Sequence, residues 1–543
     1  MKSLSSLPQT DEARDFLVAA NERQTLIRHG ENRKPPSLLP ETLLKLYPSP
    51  VIDGETLRVI QVLQLHRAVD RTQSATGAAV LLRSLIRPST DPAFISAKQE
   101  ALGEIASSET LRRALSGFLS EFSRREGALY RFFNKGIFAS FPYRDIQKAR
   151  RCAAGIARLP HSFPTVRTPY LRALMSRLDA YRASPLHSMM EGAVFRTFAG
   201  LRPKSEVGFF TPKRRFVPRR FTRWIAAGPA VAAAPHVLPY LGFDAPASSA
   251  MTVLGLVWTG LYLFYAMFLK PVRDTENVIE PLRRKCVADD AFGLALDAVG
   301  RLDELLSIDT WAGELPHATV LPEVKDGSRH FFTARGLKNP VLAAFQTDIV
   351  PNDVSLVDAG LTFITGPNSG GKTTVCKSVV HNQLLAQMGS YVLAEEAAVG
   401  IADRIAYQAP AFDGLQDAEG RFGTELARTR DIFFSTGPKS LVILDELAEG
   451  TTHEEKLRES YGILSDFHTI GNNTVLVTHN HALVDRFAQE GRGQALRVEF
   501  RGGEPTYRLV PGVSRVSHAV RIAERIHFSA EDRRRYLKDK GYG

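Results

Sequence analysis

With 543 residues, 44% of them hydrophobic and 23% charged, the chain has the composition of a folded protein of three or four domains, which excludes general disorder. Its formal net charge of +11 points towards a polyanionic partner, nucleic acid or anionic lipid. Three cysteines far apart in the chain, Cys152, Cys286 and Cys376, argue against a disulfide framework or a structural zinc site.

Residues 1–50 read as a polar lead-in ending in a Pro-rich link through Pro35, Pro36, Pro40, Pro48 and Pro50. The first sixteen residues hold no apolar core of a cleavable signal peptide, so none is expected. From Val51 to about Tyr181 apolar residues recur every three or four positions, the period of helices buried on one face. From Trp224 to Leu269 the only formal charge is Asp244, and Met251 to Leu269 is an uncharged, largely apolar run. At about 1.5 Å per residue that run nearly spans a hydrocarbon core of about 30 Å.

Six basic residues lie upstream (Lys213, Arg214, Arg215, Arg219, Arg220, Arg223), and more follow from Lys270, whereas the connector from Asp244 to Ser249 carries no positive charge. The pattern predicts a two-helix transmembrane hairpin over 223–270 with both flanks cytoplasmic. The competing reading is a pair of long helices buried in a soluble oligomer. The basic flank suits phosphodiesters, anionic headgroups or a topology signal alone. Beyond about Asp289 the chain is helical again to Leu306, and strands then alternate with helices, an α/β pattern.

The α/β segment carries the chemistry. The strand Leu361–Thr365 runs into Gly366, Pro367, Asn368, Ser369, Gly370, Gly371, Lys372, Thr373 and Thr374, and a helical run follows. This is the G-x4-G-K-T phosphate-binding loop in strand–loop–helix context. Its glycines let backbone N–H groups face phosphate oxygens, Lys372 reaches the β- and γ-phosphates of ATP, and the Thr373 hydroxyl is a Mg²⁺ ligand. A buried-type strand from Ser440 ends at Asp445 and Glu446: Asp445 is expected in the Mg²⁺ shell and Glu446 as the group orienting or deprotonating water. A third strand, Thr474–Thr478, ends at His479, read as a γ-phosphate contact and alternatively as a structural histidine.

These residues resemble the MutS family. Thr365 to Thr373 is similar to its phosphate loop, with Pro-Asn after the first glycine. Further similarity lies in Val350–Asp353, Gly389–Ala394, Asp403–Ile405, Leu441–Glu446 with Gly450–Thr452, and Thr478–His479. Tyr507–Gly512 and Ser517–Ala523 look like its C-terminal dimerising segment, while Ile52–Leu57, Arg71–Gly77 and Leu85–Pro88 look like the start of its helical core. The resemblance covers about residues 51–180 and 315–535.

It implies a multidomain chain: lead-in 1–50, an all-α helical core or lever 51–314 with the hairpin inserted, a P-loop (ABC-type) ATPase domain 315–510, and a helical dimerisation segment 511–543. It implies a homodimer through the ATPase domains, with DNA as partner in mismatch repair or recombination.

The departures count too. Too few residues precede Asp53 for the family's mismatch-reading and connector domains, and no Phe-x-Glu tripeptide occurs, so direct mismatch reading is not expected. In the segment matching the family's trans-acting loop, Phe422–Glu425, the position two before Phe is Gly420 in place of the common Ser; Arg421 beside it is a candidate substitute charge. The alternative function is a membrane-anchored ATPase switch with a protein or lipid partner and no DNA role. An ABC transporter subunit is disfavoured because no LSGGQ-type signature occurs. The expected location is the cell membrane, the inner or plasma membrane, with the ATPase domain cytoplasmic, or the cytoplasm if the apolar helices are buried.

Overall fold

The structure, a computed structural model, describes residues 49–134, 143–159, 163–237, 240, 249–357, 360–367, 370–410, 420–447, 453–502, 504–514 and 526–542. Residues 1–48 of the lead-in, 244–248 of the connector, Asn368 and Ser369, Gly450–Thr452 and Ser517–Ala523 lie outside the described residues.

The N-terminal part is built from α1 (Gly54–Val59), α2 (Val62–Val69), α3 (Ala75–Ile86), α4 (Pro92–Ser107), α5 (Glu109–Asn134), α6 (Tyr143–Ile156), α7 (Pro169–Arg182) and α8 (Pro185–Glu191). Side-chain caps start several of them: Asp53 accepts from Thr56 N at 2.8 Å and Ser74 from Gly77 N at 2.9 Å. On α5, Leu111, Leu115, Leu119, Phe122 and Leu129 return at helical spacing and are buried, which explains why so long a helix holds against its neighbours.

After α8 the expectation of an all-α core fails. Strands β1 (Val194–Thr197), β2 (Gly200–Pro203) and β3 (Arg214–Arg215) form a small antiparallel sheet in the order β2-β1-β3. The strands are two to four residues long, too short to show a clear alternation in sequence.

Helix α9 (Ala227–Val237) and the long helix α10 (Ser249–Ala288, with two π-type turns) then pack antiparallel. Thr222 meets Tyr262 at one end of the pair, and His236 meets Thr252 at the other. Their backbones touch at glycines: a Cβ on Gly228 would lie 2.7 Å from the Gly255 carbonyl, and one on Gly255 would lie 2.5 Å from Ala232 N. The expected pair of spans is corrected here. Among the described residues one helix, α10, is long and apolar enough to cross a membrane, whereas α9 has 11 residues, about 16 Å. Pro235 sits inside α9.

Helix α11 (Asp290–Glu314) is the axis of the helical part, buried along most of its length against α3 and α7. A Cβ on Gly300 would stand 2.5 Å from Val80 Cγ2, so the small residue sets how closely α3 and α11 approach. Charge is buried here in pairs. Asp297 takes Arg83, Arg301 at 2.7 Å and Arg177 at 3.2 Å, and Lys98 takes Glu304 at 2.8 Å. Burial opposes ionisation of Asp297, but the surrounding guanidiniums hold it below the ordinary carboxylate range.

The C-terminal part holds two sheets. One is β4 (Glu323–Lys325), β5 (Phe332–Leu337), β6 (Asn352–Leu356) and β8 (Glu396–Gly400), in the order β4-β8-β5-β6. The other joins β7 (Leu361–Thr365), β9 (Ile405–Gln408), β10 (Leu441–Asp445), β11 (Asn473–Val477), β12 (Gln494–Arg501) and β13 (Glu504–Pro511), in the order β13-β12-β7-β11-β10-β9. All its pairings are parallel except β12 with β13. Strands β7, β10 and β11 are buried at all five positions, as expected of a parallel sheet covered on both faces. Besides the single turn Pro340–Ala343, the described helices of this part are α12 (Lys372–Gln387), α13 (Gly420–Phe434), α14 (His453–Ile470), α15 (His481–Gln489) and, near the C-terminus, α16 (Ala530–Asp539).

The two parts share one apolar core. Ile52 bridges Ile405 at the open edge of the larger sheet, with Ile405 N donating to Val51 O at 2.6 Å, so the segment before α1 extends that sheet beyond β9.

Candidate active site

Sheet order decides what the site contains. Because β11 lies between β7 and β10, the carboxyl ends of three adjacent parallel strands bring the phosphate-type loop, His479 and the Asp445–Glu446 pair together. A crevice outside the carboxyl ends of parallel strands is where open α/β sheets place ligands.

The loop leaves β7 at Gly366 (φ 136°) and enters α12 at Gly371 (φ 83°), both in the left-handed region that a side chain disfavours. A Cβ on Gly366 would also approach Val498 Cγ2 to 3.0 Å. The side chain of Lys372 is buried, and its ammonium donates to the Gly366 carbonyl at 2.7 Å, which folds the loop around it. Burial lowers the Lys372 pKa, and the nearby Asp445 and Glu446 carboxylates oppose that shift. Such an ammonium gains from an added anion.

Next along the helix, Thr373 Oγ1 donates to Asp445 Oδ2 at 2.9 Å. Burial raises the Asp445 carboxyl, Thr373 counters that, and the neighbouring Glu446 raises it further. Two crowded carboxylates beside a hydroxyl form an all-oxygen donor set, which suits a hard divalent cation such as Mg²⁺.

Glu446 has φ 66°, a left-handed conformation rare for a residue with a side chain, and its N–H donates to Val477 O at 2.9 Å. That turn carries its carboxylate out of the strand direction to 3.6 Å from His479 Nε2. Burial, then the Lys372 ammonium, lower the His479 pKa, so the imidazole is held neutral and able to donate or accept one hydrogen bond. The structure therefore brings together Gly366, Pro367, Gly370, Gly371, Lys372, Thr373, Thr374, Asp445, Glu446 and His479.

Two further features were missed in the sequence. Tyr507, on β13, is half exposed with φ 60°, and a Cβ on Gly371 would meet its Cδ1 at 3.2 Å, so an aromatic ring stands beside the loop. Asn352 holds that residue in place, donating to Tyr507 O at 3.1 Å and accepting from Leu509 N at 2.7 Å. The signals were Asn352 within Val350–Asp353 and Tyr507 at the head of Tyr507–Gly512, and neither says anything of the other, 155 residues away. Gly420 is the first residue of α13. The side chains of Arg421 and Phe422 lie outside the described residues.

Residues 362–531 match the family model for MutS domain V. The chain is 34% identical over 260 residues to the DNA mismatch repair protein MutS of Myxococcus xanthus, covering 46% of this chain and 29% of that protein. It is 27% identical over 474 residues to the protein of the same name from Symbiobacterium thermophilum, covering 77% of this chain and 51% of that one. A third, from Haloquadratum walsbyi, is 34% identical over 188 residues, 34% of this chain and 20% of the relative. The chain thus spans about half or less of the length of these relatives. The matched residues run through the phosphate-type loop, the paired carboxylates and His479, and the family model and these relatives together support a MutS-family protein.

Proposed function

We propose that the protein is a dimeric, Mg²⁺-dependent P-loop ATPase of ABC type, acting on DNA in repair or recombination without reading mismatches itself. The observation that carries the reading is the Thr373–Asp445 contact of 2.9 Å beside the Gly366–Gly371 turn, with Glu446 and His479 alongside. Backbone N–H groups at the start of α12 and the Lys372 ammonium bind the phosphates. Thr373 and Asp445 hold Mg²⁺, which supplies charge neutralisation on the phosphate oxygens when bound. Glu446 orients water and takes up its proton, and neutral His479 reports on the γ-phosphate through a hydrogen bond. Tyr507 offers a ring face to the base. The catalytic task is positioning and electrostatics, and the rigid strand ends are suited to it.

The relatives are named as DNA mismatch repair proteins, and the net charge of +11 agrees with a polyanionic partner. The dimer follows from the composite-site logic of the family. A membrane attachment is part of the proposal, with the protein at the inner or plasma membrane and its ATPase part cytoplasmic. Supporting it, only 11% of the most apolar stretch of α10 is buried. The second reading, a membrane switch without a DNA role, rests on the same helix.

ATP hydrolysis by the detergent-solubilised chain, with and without duplex, mismatched and branched DNA, tests both. Stimulation by DNA over a Glu446→Gln control is the expected result. Turnover indifferent to every DNA removes the DNA role and leaves the switch.

A further inference from the structure

The uncharged, exposed stretch of α10 ends at Lys270, and a cavity of about 760 Å³ opens there. Lys270, Arg273 and Asn277 of α10 line one side, and Arg196, Arg214 and Arg215 of the small sheet, with Lys213 just before β3, line the other. In the register of that sheet Arg196 stands directly opposite Arg214. Like charges facing each other across two strands, about 5 Å apart at Cβ, repel unless an anion lies between them. Among the described residues no carboxylate pairs with Arg196, Arg214, Arg215 or Arg273. The one acid in the lining, Asp274, is already engaged by the Tyr143 hydroxyl at 2.7 Å. Phe198 of the lining is 96% exposed, and Phe209 and Phe210, a few residues before the lining residue Pro212, are 88% and 93% exposed.

We propose that this cavity binds the phosphate of an anionic lipid headgroup. The inference rests on the membrane attachment proposed above and adds to it a specific lipid chemistry. Its level is the argument. Ser249 to Leu269 is about 32 Å of helix, the thickness of a hydrocarbon core, so the first charge after it, Lys270, falls in the headgroup layer. The Lys270 ammonium is held by the Arg219 and Arg220 carbonyls, which ties the basic loop to the foot of the helix. The exposed phenylalanines enter the acyl boundary beside the phosphate, as aromatic side chains do at interfaces. Cations near an anionic surface each contribute to such binding. A DNA duplex approaching the same arginines would meet the three phenylalanines and the bilayer itself.

The test uses the full chain in detergent. Resistance to alkaline carbonate extraction from membranes is checked first, because release there overturns the attachment and not merely the site. Native mass spectrometry then titrates phosphatidylglycerol against phosphatidylcholine, with competition by inorganic phosphate and by a DNA duplex. Wild type should retain phosphatidylglycerol selectively. Arg196→Gln with Arg214→Gln should weaken retention about tenfold or more at unchanged ATP turnover, and the Lys–Lys pair should restore most of it. If the Gln pair impairs turnover, Arg273→Gln, on the exposed helix surface, makes the same comparison. Undiminished retention by the variants overturns the proposal. Full displacement by inorganic phosphate assigns the cavity to free phosphate, and displacement by duplex assigns it to nucleic acid; either also overturns it.

Discussion

Arg428 Nη2 donates to both carboxylate oxygens of Asp53, at 3.0 and 3.1 Å, and so joins residues 375 positions apart. Asp53 caps α1 at the entrance to the helical part, and Arg428 lies on α13, the helix that opens with Gly420. Arg404, just before β9, adds a second guanidinium at 2.9 Å. One carboxylate thus ties the start of the helical part to two places in the C-terminal part.

Replacing it should be costly on both counts. Asp53→Ala removes a cap, leaves the partly buried Arg404 without its acid and leaves Arg428 with Glu55 alone, an expected loss of about 2–3 kcal/mol. Asp53→Asn keeps the cap and should lose less. Thermal unfolding of the two variants beside Arg428→Ala measures it, and a double-mutant cycle between positions 53 and 428 should show coupling. Additive losses would mean that the contact carries no linkage.

Glu446→Gln should lower ATP turnover at least about a hundredfold while nucleotide binding persists, because it removes the base and not the phosphate contacts. Lys372→Ala should lose binding itself. Single-turnover hydrolysis and a fluorescent-nucleotide titration separate the two, and equal loss of binding in both variants would assign Glu446 to the phosphate cradle.

The N-terminus of α3 contains a pH-dependent element. Glu126 accepts from Ala75 N at 2.7 Å and from Thr76 N at 3.2 Å, and Asp303 accepts from Gln73 N and Ser74 N. Burial raises Glu126 to about 7 and Asp303 to about 6, against which the N–H groups act. Folded carboxyls with raised pKa values hold protons that the unfolded chain releases, so the contribution of these two groups is full below about pH 4 and falls as pH rises towards 7. The melting temperature should therefore fall from pH 5 to pH 7.5, and less so in Glu126→Gln. An identical slope in that variant would remove Glu126 from the account.

The α9–α10 crossing depends on Gly255. Cysteines at His236 and Thr252, where the imidazole Nε2 and the threonine Oγ1 now lie 3.3 Å apart, should be joined by a short bifunctional thiol reagent that spans the reach of the imidazole, a gap wider than a disulfide bridges. Gly255→Leu should abolish that crosslink, since its Cβ has no room beside Ala232 N. Persistent crosslinking would mean that the pair adapts without close backbone contact.

Much of the site was legible because its residues are local in sequence. The loop from Gly366 to Thr374, the run ending in Asp445–Glu446 and the strand before His479 are each a strand with its following turn, and parallel strands must present those turns at one end. The apolar run of α10 was legible for the same reason, as hydropathy is a property of consecutive residues. Three things needed the fold. The order β7-β11-β10 places His479 between loop and carboxylates, and pairing order is set by contacts between strands, which no single strand encodes. Tyr507 reaches Gly371 only because β13 folds back on β12 and Asn352 holds it. The opposition of Arg196 and Arg214 exists only once β1 and β3 are in register. The chain by itself determined which chemical groups are available. Tertiary structure decided which of them meet, because Coulombic and hydrogen-bond interactions act over a few ångströms of space whatever the separation along the chain.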